Sequence, residues 1–311
     1  MDNFTTIEKY INKNCYFTVA FGIARSLLAL GLLITLVFNS NNTLFNTNVD
    51  GLHGVRTNTY NFFSLYVLFD NLLIAKIISI AILVLVIIGV YPRLTSILHF
   101  WVTFSYASCV HIIDGGDQIA SILTVLFMPI CITNPNKTHW KNYKSSNFYI
   151  NSICFFSYLL IMLQAIVIYF HAAVGKFVVP EWTNGTAIYY WFNDPVFGAS
   201  GFVKSVFNFL FKYPVVTFYL NWSILFLELF IVIAIILPYK KIKYLALILG
   251  LMFHLMIILV HGLLSFYFSM ASLLITSLIS MNNTYCNNLI QKIPRKMNKQ
   301  FNYIKTHFNI D

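Results

Sequence analysis

Long apolar runs broken by short polar stretches dominate the chain. They fall at 16–38, 72–91, 97–113, 118–133, 150–174, 215–237, 244–261 and 263–280. Most approach the ~20 residues that cross ~30 Å of hydrocarbon at 1.5 Å per residue. Ten-residue segments of alternating polarity, the mark of a membrane β-barrel, are missing from the pattern. The pattern predicts an all-α polytopic membrane protein of about eight transmembrane helices in one bundle. The first run is too long for the core of a signal peptide, and no A-x-A cleavage site follows it, so it reads as an uncleaved span. No internal repeat or heptad register stands out. The expected layout is a cytoplasmic N-terminus over 1–15, a transmembrane domain over 16–280 and a basic cytoplasmic tail over 281–311.

Charge orients the spans. With the N-terminus inside, the inner segments hold Lys9, Lys13, Arg93, Lys137, Lys141, Lys144, Lys240, Lys241, Lys243, Lys292, Arg295, Lys296, Lys299 and Lys305. The outer segments hold Arg56, Lys176, Lys204 and Lys212. This asymmetry follows the positive-inside rule and places both termini in the cytoplasm. The outer segment 175–214 is aromatic and broken by Pro180, Gly185, Pro195, Gly198 and Gly201. It reads as a re-entrant or interfacial element.

Composition agrees with the pattern. Of 311 residues, 59% are hydrophobic and only 10% charged, against roughly 25% charged in soluble domains. The net charge of +10 sits in loops and tail, which points to membrane lipid and away from nucleic acid. Cys15, Cys109, Cys131, Cys154 and Cys286 form no C-x-x-C pair, so no redox or zinc motif is present.

Against this background, ionisable residues inside the spans carry the information. Arg25, Lys76, His99, His171, Glu228 and His254 fall within apolar runs. A charge at the bilayer centre costs about 2.5–3.5 kcal/mol on insertion scales, so each such residue needs a partner, a cavity or a task. Arg25 and Glu228 read as a structural charge pair. Lys76 reads as snorkelling and His99 as structural. Many of the remaining groups fall toward the outer side: His111, Asp114 and Asp117 around the third-to-fourth turn, His171 and Lys176 at the end of the fifth span, and His261 at the end of the seventh. His254 and His261 are two helical turns apart and share a face. Trp182, Tyr189, Tyr190 and Trp191 lie in the adjoining segment. If these helices meet, they surround an outward cavity rich in acid–base groups. There Lys176, His171, His261 and Asp117 are candidate catalytic residues. His111, Asp114, Trp182, Tyr189, Trp191 and His254 are candidate substrate-binding residues. Each also has a plainer reading: Asp114 and Asp117 as helix caps, His111 and His261 as interfacial anchors, and the aromatics as a membrane belt. No H-x-x-x-H, H-E-x-x-H, phosphate-binding glycine loop or G-x-S-x-G is present, so no metal site is expected.

Four stretches carry a family resemblance. The run from Val19 through Arg25 to Gly31, continuing to Asn39 and Phe45, resembles the first span of the sporulation-delaying protein B (SdpB) family. The run His254 to Tyr267 and the turn Asp114-Gly-Gly-Asp117 are similar to the same family. That family is related to the horizontally transferred transmembrane (HTTM) domain, shared with the vitamin K-dependent γ-glutamyl carboxylase. The segment Tyr169 to Lys176, followed by Trp182 and Gly185, resembles the carboxylase segment around its proposed catalytic lysine, which Lys176 matches. The expectation is a membrane domain without the carboxylase's large peptide-handling domain.

The resemblance implies a role in maturing or producing a secreted antimicrobial peptide, with an SdpA-like small partner and an SdpC-like toxin precursor. It leaves the chemical step and the cofactor open. Three readings follow. The first is a maturation protein that is catalytic through its polar cavity. The second is a non-enzymatic scaffold or chaperone for precursor and partner. The third is a carboxylase-like or lipid-handling enzyme, with a quinone such as menaquinone as a conceivable cofactor.

Overall fold

The computed structural model describes residues 2–45, 61–69, 71–111 and 113–280. Arg56, Cys286 and the basic tail 281–311 lie outside the described residues. In chain order the helices are α1 Asp2–Lys13, α2 Val19–Phe38, α3 Asn41–Phe45, α4 Leu65–Leu68, α5 Leu72–Ile88, α6 Pro92–Cys109 and α7 Gly115–Thr133. They continue with α8 Phe148–Lys176, α9 Pro180–Thr183, α10 Ala187–Asn193, α11 Gly201–Leu210, α12 Pro214–Ile236, α13 Lys240–His261 and α14 Leu264–Ile275. A π-helical turn, Thr276–Ser280, extends α14. No named strand occurs among the described residues; two isolated bridges, Phe17 with Tyr143 and Val90 with Thr138, tie loops together.

All eight apolar stretches are helical. Five of these helices, α2, α7, α8, α12 and α13, are long and apolar enough to cross a membrane. The chain is an all-α membrane protein. Helix is the required form here, because hydrocarbon offers the backbone no hydrogen-bonding partner. Local chemistry sets the ends. Thr18, Asn71 and Asn147 cap α2, α5 and α8 by accepting from backbone N–H groups one turn in. Pro92 and Pro214 open α6 and α12, where a missing N–H does no harm. Gly262 closes α13 at φ +71°, a conformation that costs glycine little. The third apolar stretch lies in a helix that begins at Pro92 rather than 97; Thr95 and Ser96 face protein and are buried, so polarity there marks an inner face where the hydropathy pattern reads a loop.

α2 is the central post. Ala20, Phe21, Ala24 and Leu28 join a core cluster with α7, α8, α12, α13 and α14. Ala29, Leu32 and Leu36 join a second cluster with α5 and α6. Small residues permit the approach, as is usual where lipid supplies no hydrophobic drive between helices. A Cβ on Gly31 would lie 3.1 Å from the Ser265 carbonyl on α14. Lys76 on α5 donates to the Asn39 carbonyl at 2.7 Å, so it reaches a helix end as a snorkelling residue does.

Candidate functional site

The ends of α8 and α13 and the starts of α12 and α14 gather on one side, beneath the short helices α9, α10 and α11. They enclose a cavity of about 530 Å³. Four long helices each present one strip at helical spacing: Tyr169, Ala172 and Lys176; Leu220, Ile224 and Glu228; His254, Ile257 and His261; Phe266 and Met270. Trp182, Ile188, Trp191, Phe192 and Phe207 form the roof.

One ion pair stands in this apolar chamber. Lys176 is the last residue of α8, and helical Cβ geometry turns its side chain back toward the helix N-terminus. Its Nζ donates to the Ala172 carbonyl at 3.0 Å and to both Glu228 oxygens at 2.7 and 2.8 Å. All three ammonium donors are thereby engaged. The Trp182 ring lies 5.2 Å from Nζ, a cation–π contact. Beside the pair, Tyr169 Oη and His254 Nε2 share a hydrogen bond of 2.8 Å. His254 is 2% exposed, and its Nδ1 has no hydrogen-bond partner among the described residues.

The roof is tied down. His261 Nδ1 donates to the Phe197 carbonyl at 2.6 Å, because a carbonyl can only accept. The His261 ring also meets Trp191 and Phe192 edge-on. Asn221 Nδ2 donates to the Trp182 carbonyl at 2.8 Å. The Phe197 and Val196 backbone N–H groups hold the Asp194 carboxyl below the usual carboxylate range, which fixes the loop before α11.

The cavity brings together Lys176, Trp182, Trp191, His254 and His261 of the sequence candidates, and adds Glu228. It does not include the others. His171 is exposed on α8, five residues and so about 140° of helix away from Lys176. Asp114 and Asp117 form a reciprocal capping box at the start of α7, and Asp114 also accepts from Ser265 at 2.8 Å. Phe266 stands between them and the cavity, since a Cβ on Gly116 would press on its backbone. His111 follows α6, its N–H donating to the Leu44 carbonyl. Tyr189 lines a neighbouring pocket with Gly185 and Phe218.

The expected Arg25–Glu228 pair is not formed. Glu228 is taken by Lys176, while Arg25 is fully buried at the opposite end of the bundle. Its guanidinium donates to His139 Nδ1 at 3.1 Å and to Thr95 Oγ1 at 2.9 Å. His139 comes from the loop 134–147, so Arg25 anchors that loop to α2 and α6. Because arginine only donates, Nδ1 accepts and the neutral ring carries its proton on Nε2, 3.3 Å from Ser26 Oγ. Burial, then the Arg25 charge, pushes the His139 pKa down to about 3. Tyr169 and His139 are the residues that sequence reasoning missed. The two-turn spacing from Tyr169 to Lys176 was the available signal for the first.

Among the described residues, no group of three or more His, Cys, Asp or Glu is placed to hold a metal. Cys15, Cys109, Cys131 and Cys154 are free thiols. The cavity can therefore act through a proton-bearing ion pair, an imidazole–phenol pair and apolar walls.

No family model matches the chain, and no solved structure matches it. Two curated proteins of Bacillus subtilis (strain 168) do. The chain is 34% identical over 294 residues to the "Uncharacterized protein YitO", covering 93% of this chain and 94% of that one. It is 33% identical over 310 residues to "Sporulation-delaying protein SdpB", covering 96% of this chain and 94% of that one. One-third identity across nearly all of both chains is a relationship of whole folds, and the chain belongs to the sporulation-delaying protein B family.

Proposed function

We propose that this protein takes part in producing a secreted antimicrobial peptide, and that it acts on the precursor in the Lys176 cavity at the outer face of the plasma membrane. In this reading eight helices cross the bilayer with both termini in the cytoplasm, as the Lys and Arg distribution favours. An SdpA-like protein and an SdpC-like precursor are its partners. The observation that carries the reading is the Lys176–Glu228 pair at the wall of a hollow. Charges kept only for packing are better served in a filled core, where neighbours close over them. Beside a cavity, the pair can hand a proton to, or take one from, a bound amide or carbonyl. His254 and Tyr169 supply a second hydrogen-bonding couple on the same wall.

A second reading has its own support: the ammonium is saturated, as in a pin that fastens α8 to α12. In that case the protein is a scaffold for precursor and partner. The double variant Lys176→Met/Glu228→Met separates the two. It removes both charges together, so it leaves no stranded ion. Normal membrane levels with loss of killing activity in the culture medium support chemistry or binding at the pair. Normal levels with full killing activity support the pin.

A further inference from the structure

The roof over the cavity is fastened at His261 and Asn221, but one side is open. Three lining residues are exposed: Trp191 in the roof, and Ser223 and Met256 on α12 and α13. Ser223 and Met256 flank the cleft between these two helices, whose outward faces carry Phe226 and Met252, 63% and 59% exposed. In a protein that crosses a bilayer such faces meet lipid. Phe207 of α11 lines the cavity, while Phe202, Val206 and Phe209 of the same helix are exposed on its apolar side. α11 thus has the form of an interfacial helix at the edge of the chamber.

The polar groups sit together. Glu228 follows Asn221 by seven residues, and His254 precedes His261 by the same interval, so each lies about 10 Å of helix from the residue that fastens the roof. The Trp182 ring reaches down to within 5.2 Å of Lys176 Nζ.

We infer that the substrate reaches Lys176–Glu228 sideways from the bilayer, through the cleft between α12 and α13, as an apolar stretch of polypeptide. The inference rests on the peptide-producing role proposed above and names the route by which the precursor arrives. Charge disfavours a phospholipid: the Lys176 ammonium is already held by both oxygens of the Glu228 carboxylate, and that carboxylate repels a phosphate. A polypeptide carries amides along its whole length, and the partnerless Nδ1 of His254 is a buried group of the kind that requires such a partner.

The test uses the full chain in vesicles of phosphatidylcholine with brominated acyl chains, which quench tryptophan on contact. The contribution of Trp182 and Trp191 is the difference between the native protein and W182F/W191F, or either single variant if the double is poorly made. Ser223→Phe and Met256→Phe plug the cleft, and both positions are exposed, so neither enlargement burdens the core. The expected result is quenching of this contribution by brominated lipid, loss of that quenching in the plugged variants, and a parallel loss of killing activity. Two results overturn the inference: acrylamide in the water quenches these residues while brominated lipid does not, or the plugs abolish lipid quenching and leave killing activity intact, which assigns the cavity to a lipid tail. Either failure leaves the K176M/E228M experiment to decide the proposed function separately.

Discussion

Arg25 and Lys176 are both cations on helices that cross or approach the bilayer, and the fold treats them in opposite ways. Arg25 is fully buried and its partners His139 and Thr95 are neutral. Everything around it is packed, and the outcome is a fastened loop. Lys176 keeps 18% of its side chain exposed, faces a full carboxylate and borders empty volume. Density, more than charge, separates an anchor from a site. A filled shell restrains its charge in one geometry, whereas a hollow leaves a face for another molecule.

The comparison is broken most directly by stranding a charge. Glu228→Gln leaves the Lys176 ammonium without its counter-ion, and losing one partner of a buried pair costs about 3–5 kcal/mol. Chemical denaturation of the purified protein should show it, and killing activity should disappear. Arg25→Leu comes next. Two hydrogen bonds from a charged group are lost, about 1.5–3 kcal/mol each, so membrane abundance should fall. Activity per molecule of the surviving protein should be unchanged; a specific loss of activity would mean the inner hub also serves the reaction.

Acid should weaken the Arg25 hub through His139. The His139 pKa is near 3 when folded and about 6.5 when unfolded, so below pH 6.5 the unfolded chain binds the extra proton. Stability is complete above that pH and falls by about 1.4 kcal/mol per unit as pH drops toward 3. Melting temperatures followed from pH 7 to 5 should carry this contribution, and His139→Asn should remove it, so that the native protein and the variant differ more at pH 7 than at pH 5. The smallest expected effect is at Tyr169→Phe. It deletes one hydrogen bond to His254, about 1 kcal/mol, and should lower killing activity more than stability if that pair meets the substrate. Equal losses in both would mark the pair as packing alone.

Much of this was legible in one dimension. Apolar run length gave the helices, the cost of charge in hydrocarbon singled out His254 and Glu228, and the family resemblance singled out Lys176. Azimuth was not legible. Arg25 and Glu228 both fall inside apolar runs, and nothing in their spacing says that one points to α6 while the other points to α8. The same blindness grouped His171 with Lys176, although five residues turn one to the far side of the helix. Asp114 and Asp117 were readable either as caps or as acids, and the reciprocal bonds of the capping box use them as caps. His139 sits in a polar loop, where a sequence gives no hint that the loop folds inward.

α8 has a consequence of another sort. Its 29 residues make about 43 Å of helix, well over the ~30 Å of a typical hydrocarbon layer, and excess length is absorbed by tilting. Lys176 is fixed to its C-terminal tip, so the lean of this one rod sets how far the ammonium stands from the water. Membranes of differing acyl-chain length would therefore present the same residue at different levels, and thickness becomes a control on the protein that no substitution is needed to exercise.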